Sequence, residues 1–467
     1  MHSDKRTKGE WDEAFCCFHF HPKYAIFISM EAENKKFKIV TLGCRTNQYE
    51  SQAYQDQLQA LGYTPAVEGE KADICIVNTC TVTESADSSS RHEIRQLARQ
   101  YPGSKLVVTG CSSERQPELI KQMEGVTHVV ANRDKENLLA QVYPEIEFPE
   151  FSVKHFEAHT RAFVKVQDGC NSYCTYCIIP YVRGRSRSRT LDQIIEEVKN
   201  LISNGFKEVV LTGINIGDFD GNRPEGETPD RLVDLVKAVD QIPGLERLRI
   251  SSIDPDEVDD DLMNAIIHGK NTCKSMHIVL QSGSNVILKR MNRKYTRQIF
   301  MDTVDRLRNA CSDFTFTTDI IVGFPGETQP DFEDTLSVMR EVKFAKVHMF
   351  PYSERPRTRS ALMPNKVPQD IIKARKQEIM RLSEQVAYEL QSQYVGREMT
   401  ILTESGDKNR PGEMSGHTDN FLMVWVPDAG YQPNQLVNVK LTANTPDGLI
   451  GSVINQSCAS SHSCNYR

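Results

Sequence analysis

The feature that most constrains this chain is a run of three thiols, Cys170, Cys174 and Cys177, spaced C-x3-C-x2-C within Asp168-Gly169-Cys170-Asn171-Ser172-Tyr173-Cys174-Thr175-Tyr176-Cys177. It follows an apolar-alternating stretch (Phe163, Val164, Val166) that reads as a strand, and it precedes Ile178-Ile179-Pro180. Soft ligands this close in sequence can hold a metal cluster without help from distant parts of the fold. A structural zinc ion wants four ligands, and the nearest further candidate, His159, lies upstream of the loop. A cubane of four irons held by three cysteines leaves one iron open to a chelating ligand. Zinc and simple burial of the thiols are the alternatives.

Between Lys36 and about Glu150, short β-rich runs alternate with helical stretches. Strands are expected at 37–42, 73–78 and 106–109, with a weaker one near 126–130; helices are expected over 48–61, 85–99 and 116–123. This rhythm implies a parallel sheet with crossover helices. Cys44, Cys80 and Cys111 each stand directly after one of the first three strands. In a parallel sheet those strand ends share one edge, where open α/β folds place their ligands. Three thiols far apart in sequence thus come to one site; the alternative is a coincidence of small residues at strand ends. Cys75, inside its strand, is expected to pack into a core.

From Ala162 to about Ser353, six strand-like runs (163–167, 208–215, 247–252, 277–282, 315–324 and 346–352) alternate with helical segments. Six βα units make a partial parallel barrel whose strand ends line a chamber. Gly213, Asn215, Ser252, Gln281 and Asp319 stand at or near those ends. Arg183, Arg185, Arg187 and Arg189 alternate beside the cysteine run, and Arg355, Arg357 and Arg359 follow the last strand. Both groups are expected to supply charge-assisted contacts to a ligand or to RNA phosphate. A helix over 369–388 reads as a linker. From about Gly396 the pattern is all-β, with five short strands suggesting an OB-like barrel, a shape that often holds RNA. With four basic and seven acidic residues between 396 and 455, that module would bind RNA by aromatic stacking and not by bulk charge.

Composition narrows the class. At 467 residues the chain is too long for one core and suggests three domains. Its 56 basic and 63 acidic residues give a net charge of −7, which excludes a global nucleic-acid-binding footprint. No run is long enough for a membrane span. Thirteen cysteines, six of them in the two ordered sets, point to a reducing cytoplasm and not a disulfide framework. Cys273 and Cys311 are expected to be buried or half-buried. Residues 1–35 carry no fold pattern and are expected to be a disordered or non-native extension, with the functional start at Met30. Residues 457–467, with Cys458 and Cys464, are expected to be a disordered tail.

The cysteine run, including Tyr176 before its last thiol, resembles the signature of the radical SAM superfamily. The resemblance narrows to that superfamily's methylthiotransferase family through Thr41-Leu42-Gly43-Cys44-Arg45-Thr46-Asn47-Gln48-Tyr49-Glu50-Ser51, Asn78-Thr79-Cys80-Thr81-Val82-Thr83 and Thr109-Gly110-Cys111. Gly416-His417-Thr418-Asp419-Asn420-Phe421 resembles the TRAM domain that ends such chains. The resemblance spans roughly residues 36–455.

It implies an α/β architecture: an N-terminal parallel α/β domain (36–150), a partial (β/α)6 radical SAM barrel (156–390) and a small all-β OB-like TRAM barrel (393–456). It also implies two [4Fe-4S] clusters, one on Cys170, Cys174 and Cys177, the other on Cys44, Cys80 and Cys111. The first would cleave S-adenosylmethionine to a 5′-deoxyadenosyl radical and the second would carry the sulfur, with no catalytic residue beyond the ligands. By place in the fold, Gly213, Asn215, Ser252, Gln281 and Asp319 become the S-adenosylmethionine contacts. The segments 43–51 and 350–358 are most similar to the branch acting on threonylcarbamoyladenosine in tRNA, departing from it at Arg45, Thr46 and Arg357, where Lys, Val and Gly are usual. Isopentenyladenosine in tRNA, an aspartate of a ribosomal protein, and a non-enzymatic iron-sulfur RNA scaffold are the alternatives. The expected partners are tRNA and a reductant protein of flavodoxin or ferredoxin type, for a cytoplasmic monomer with no membrane contact.

Overall fold

The structure, a computed structural model, describes residues 35–154, 160–407 and 410–454. The expectations for residues 1–34 and 455–467, the start at Met30 and the thiols Cys16, Cys17, Cys458 and Cys464 among them, lie outside the described residues, as does His159.

The first sheet contains β1 (Lys36–Thr41), β2 (Thr64–Pro65), β3 (Ile74–Thr79), β4 (Lys105–Gly110) and β5 (Val126–Val129), all parallel, in the order β2-β1-β3-β4-β5. Strand periodicity divides its core. Ile74 and Ile76 of β3 pack with Tyr54 and Leu58 of the Arg45–Ala60 helix, while Cys75 and Val77 pack with Ile94 and Leu97 of the Glu84–Gln100 helix. Covered on both faces, β3 is buried along its whole length, as a central parallel strand must be. Cys75 packs inward as expected, and Cys273 is buried. The two-residue β2 is too short to carry a sequence pattern.

Next come β6 (Ala162–Lys165) and a small antiparallel pair, β7 (Gln167–Asp168) with β8 (Arg187–Ser188), which brackets the cysteine run. The other barrel strands are β9 (Glu208–Thr212), β10 (Arg247–Ile250), β11 (Ser275–His277), β12 (Thr315–Val322) and β13 (Lys346–Pro351). They form two three-stranded parallel sheets, β10-β9-β6 and β11-β12-β13. Single bridges at Leu248–Thr272 and Ile253–Ile278 join the two into one six-stranded open barrel. Surrounding helices begin on side-chain caps: Thr190 accepts from the Gln193 N–H before Leu191–Ser203, and Thr296 from the Ile299 N–H before Arg297–Ala310. The fourth strand differs from expectation, lying at Ser275–His277 and not over 277–282. Beyond His277 the chain pairs only through isolated bridges and turns into the left-handed region at Gln281 (φ 62°).

The Gln369–Ser392 helix, longer than the expected linker, packs across β13 and leads to a closed five-stranded barrel. Its strands are β14 (Glu398–Thr403), β15 (Glu413–Thr418), β16 (Met423–Pro427), β17 (Leu436–Thr445) and β18 (Gly448–Val453). This barrel is bolted to the large one through arginines of β10. Arg247 donates to the carbonyls of His417 (2.8 Å) and Thr400 (2.7 Å), and Arg249 to those of Thr418 and Asp419 (both 2.7 Å). No described helix is long and apolar enough to cross a membrane.

Candidate cluster sites and substrate chamber

The carboxyl edge of the first sheet gathers the dispersed thiols. A Cβ placed on Gly43 (φ 96°) would lie 2.9 Å from the Cβ and 3.0 Å from the Sγ of Cys80, so the Cys44 turn touches the Cys80 turn only because residue 43 has no side chain. Asn47 ties both turns down: its amide donates to the carbonyls of Leu42 (2.6 Å) and Thr79 (3.1 Å), and its Oδ1 lies 3.7 Å from the Cys44 sulfur. Cys111 follows β4 and packs against Ile178, Ile179 and Val182, the segment just after Cys177. Burial pushes the Cys111 thiol up to about 12, with Arg183 opposing and Cys80 and Cys44 adding to the rise. Burial also raises Cys80. Such thiols ionise only when a cation compensates the charge, as cluster irons do.

A buried ion network joins this edge to the barrel. Glu50 meets Lys135 (2.6 Å) and Arg183 (3.1 Å), and Asp168 meets Lys135 (2.5 Å) and Arg183 (2.8 Å). Arg183 also donates to Asn47 Oδ1. Burial alone would raise the Glu50 carboxyl, but Lys135, Arg183 and Lys165 bring it down to about 2. On the other flank, buried Asp87 accepts from Thr81 (2.5 Å), Arg115 (2.5 Å) and Arg355, and Arg355 also reaches Glu84 at 3.2 Å. These contacts correct the reading for three of the seven arginines, while Arg185, Arg187, Arg357 and Arg359 stay exposed. Arg183 and Arg355 are buried within the protein and held by its own carboxylates, and Arg189 is spent on Glu197 and Tyr49. Burying a guanidinium requires such anions, and spacing in sequence does not reveal them.

The local thiol set sits on the loop between β7 and the Ile179–Val182 turn. Gln167, which the sequence reading missed, organises it: its Nε2 donates to the Gly169 carbonyl (2.8 Å) and Ser186 Oγ (2.7 Å), while its Oε1 accepts from Ile214 (2.9 Å) and Asn215 (3.0 Å). Thr175 is held by Met291 and Arg290, and the Tyr176 ring meets Phe324 edge-on. Arg293 donates to the Cys174 sulfur at 3.0 Å and pairs with Asp254. A cavity of about 180 Å³ lined by Tyr173, Cys174, Cys177 and Tyr181 opens beside the loop. Among the described residues, no three His, Cys, Asp or Glu side chains converge as a single metal ion requires.

The expected S-adenosylmethionine contacts fall into two groups. Gly213, Asn215, Ser252 and Gln281 lie at the cluster end of the barrel. Gly213 packs against Gln167, a Cβ there standing 3.0 Å from Gln167 Oε1. Asn215 donates to Glu257 at 3.0 Å. Burial, with Asp254 beside it, lifts that carboxyl to about 7; no sequence pattern marked Glu257. Ser251 Oγ, Ser172 Oγ and Gln281 Oε1 are buried without a protein partner, and Gln281 has strained backbone besides. Unpaired buried polar atoms beside two thiol sets fit a polar ligand such as S-adenosylmethionine on an iron-sulfur cluster.

Asp319 belongs elsewhere. It lies three residues before the end of β12, 3.4 Å from His277 Nε2, with His348 close by. The same hollow holds Arg161, Phe163, Glu208, Arg249 and, reaching in from the first sheet, Arg45. Arg45 lies 5.7 Å from the Phe163 ring centroid and remains open to solvent although protein surrounds it. His417 and Phe421 stack at 4.6 Å, and Phe421 lies under Arg161 and Arg249. That pair therefore packs against the hollow.

Residues 164–339 match the Radical SAM superfamily and residues 36–131 match "Uncharacterized protein family UPF0004". The chain is 47% identical over 422 residues to threonylcarbamoyladenosine tRNA methylthiotransferase MtaB of Chlamydia pneumoniae, covering 90% of this chain and 98% of that one. It is 36% identical to the Bacillus subtilis protein of the same name (86% and 92% covered). It is 34% identical to tRNA-2-methylthio-N(6)-dimethylallyladenosine synthase of Clostridium novyi (90% and 97%). Among solved structures, the radical S-adenosylmethionine methyltransferase TsrM of Kitasatospora setae, solved with cobalamin and a [4Fe-4S] cluster bound, shares the fold. Its TM-score is 0.52 at 14% identity, with 82% of this chain and 80% of that one covered. With near full-length relatives well above 30% identity, and the thiols of both family motifs in place, the chain belongs to the radical SAM methylthiotransferase family.

Proposed function

We propose that this chain replaces the C2 hydrogen of threonylcarbamoyladenosine, next to the tRNA anticodon, with a methylthio group. Two relatives bearing that substrate in their names align over nearly their full lengths. Within the molecule, one observation carries the reading: the sheet edge holding Cys44, Cys80 and Cys111 packs, through Cys111, on the segment that follows Cys177. A reaction coupling C–H cleavage to sulfur delivery needs two such sets face to face.

Cys170, Cys174 and Cys177 would hold one [4Fe-4S] cluster with S-adenosylmethionine, and Cys44, Cys80 and Cys111 a second. When bound, these groups supply a 5′-deoxyadenosyl radical, able to take hydrogen from an aromatic carbon, and the sulfur to be methylated and transferred; no side-chain base could remove that hydrogen. The chain's own residues do the rest. Gln167 sets the cluster loop against residues 213–215. Asn215, Ser252 and Gln281, together with Glu257 and Ser251, offer polar contacts to the amino acid and ribose of S-adenosylmethionine. Arg183, beside Cys111, favours the thiolate form and with Lys135, Glu50 and Asp168 seals the junction from water. Asp319 faces the substrate side of the chamber.

We assign residues 36–150, 156–390 and 393–456 to the methylthiotransferase, radical SAM and TRAM domains, and the electron to a flavodoxin- or ferredoxin-type protein. The chain works as a cytoplasmic monomer. Mass spectrometry of tRNA nucleosides from cells with and without the gene tests the substrate. Loss of the 2-methylthio form of threonylcarbamoyladenosine is expected; loss of only the isopentenyl derivative, or a mass change on a ribosomal protein with tRNA intact, would overturn it.

A further inference from the structure

We propose that Arg45 recognises the carboxylate of the threonylcarbamoyl group and thereby selects which modified adenosine the enzyme accepts; this rests on the substrate reading above. Arg45 opens the Arg45–Ala60 helix, directly after Cys44, and extends over Phe163 into the hollow of the barrel. The charges around it are engaged with one another. Arg161 pairs with Glu404 (2.6 Å), Arg249 with Glu208 (2.6 Å), Lys165 with Glu136 (2.8 Å) and Asp319 with His277 (3.4 Å). Arg45, among the described residues, makes no ion pair and no hydrogen bond; its one contact of note is the Phe163 ring. A solvent-open guanidinium whose neighbouring carboxylates, Glu208 and Asp319, are paired with other residues is a ready receptor for an anion brought by a ligand.

The chemistry of the base explains the location. C2 of adenine and the nitrogen that carries the threonylcarbamoyl group flank N1 on one edge of the ring. A base that turns C2 toward the Cys44 turn therefore brings its side arm to the residue beside that turn. The arm ends in a carboxylate, which a guanidinium clasps through two parallel hydrogen bonds. A dimethylallyl arm has no charge and would strip water from Arg45 without replacing it, so the same residue disfavours that substrate.

The test uses anaerobically reconstituted enzyme and two anticodon stem-loop RNAs, one carrying threonylcarbamoyladenosine and one its methyl ester. Affinity is read without reductant, and kcat/KM for the methylthio product with reductant and S-adenosylmethionine. Wild type should prefer the acid roughly ten- to a hundredfold. Arg45→Lys should keep part of that preference, and Arg45→Met should reduce it to about threefold or less. Should Arg45→Met fail to assemble its clusters, shown by iron content, the acid-to-ester ratios of wild type and Arg45→Lys decide. A wild-type enzyme that treats acid and ester alike overturns the role of Arg45 while product on the acid RNA keeps the substrate reading; no product on the acid RNA overturns both.

Discussion

The two thiol sets solve the same problem in opposite ways. Cys170, Cys174 and Cys177 lie on one loop, braced by Gln167 from the neighbouring strand pair and by Arg290 and Met291. Cys44, Cys80 and Cys111 come from three strand ends, and what holds them together is the sheet, Asn47 and an ion network whose members come from both domains. A loop-borne site tolerates loosening of its surroundings. A site built from strand ends inherits every error in the packing of the sheet and of the barrel against it.

The sharpest way to break the comparison is to remove one thiol from each set. Cys174→Ala should abolish both 5′-deoxyadenosine and methylthio product. Cys80→Ala should still form 5′-deoxyadenosine while giving no methylthio product and losing about half of the iron. Iron analysis with chromatography of the nucleosides decides, and full iron content in Cys80→Ala would end the idea of two sets. A smaller effect is expected from Arg183→Met. Leaving Glu50 and Asp168 buried with too few cations costs roughly 3–5 kcal/mol, seen as a lower urea midpoint. Iron should be lost from the dispersed set before the local one, and equal loss from both would erase the contrast in dependence on packing. The smallest effect concerns Glu257, on the local side. Its carboxyl is raised from 4.5 to about 7 in the folded protein, so the fold binds that proton more tightly than the unfolded chain does. Stability from this group is full below pH about 4.5 and falls as pH rises toward about 7. Without S-adenosylmethionine, Glu257→Gln should flatten the urea midpoint between pH 5 and 7; an unchanged slope would remove Glu257 from the account.

Both thiol sets were legible because their signals are local. The loop spacing needs no fold, and a cysteine just after a β run needs only the rule that parallel strands end on one edge. The Leu191–Ser203 and Arg297–Ala310 helices each begin directly after a capping threonine, a signal confined to a few residues. Gln167, Glu257 and the partners of Arg183 and Arg355 carried no such signal. Gln167 matters for what its amide spans, Glu257 for its burial beside Asp254, and the two arginines for carboxylates far away in sequence, Glu50 lying 133 positions from Arg183. Asp319, expected at a strand end, stands three residues short of it, because a strand pattern locates a residue on a face but not in depth.

By itself, then, the order of residues determined the two thiol sets, the parallel sheet, the barrel and the small closed β domain, since each follows from patterns within a few turns or strands of chain. Only the tertiary structure decided which arginines are spent inside the protein and which one, Arg45, is left facing the chamber. Charge pairing in a low-dielectric interior depends on distances between segments remote in sequence, and no local pattern encodes them.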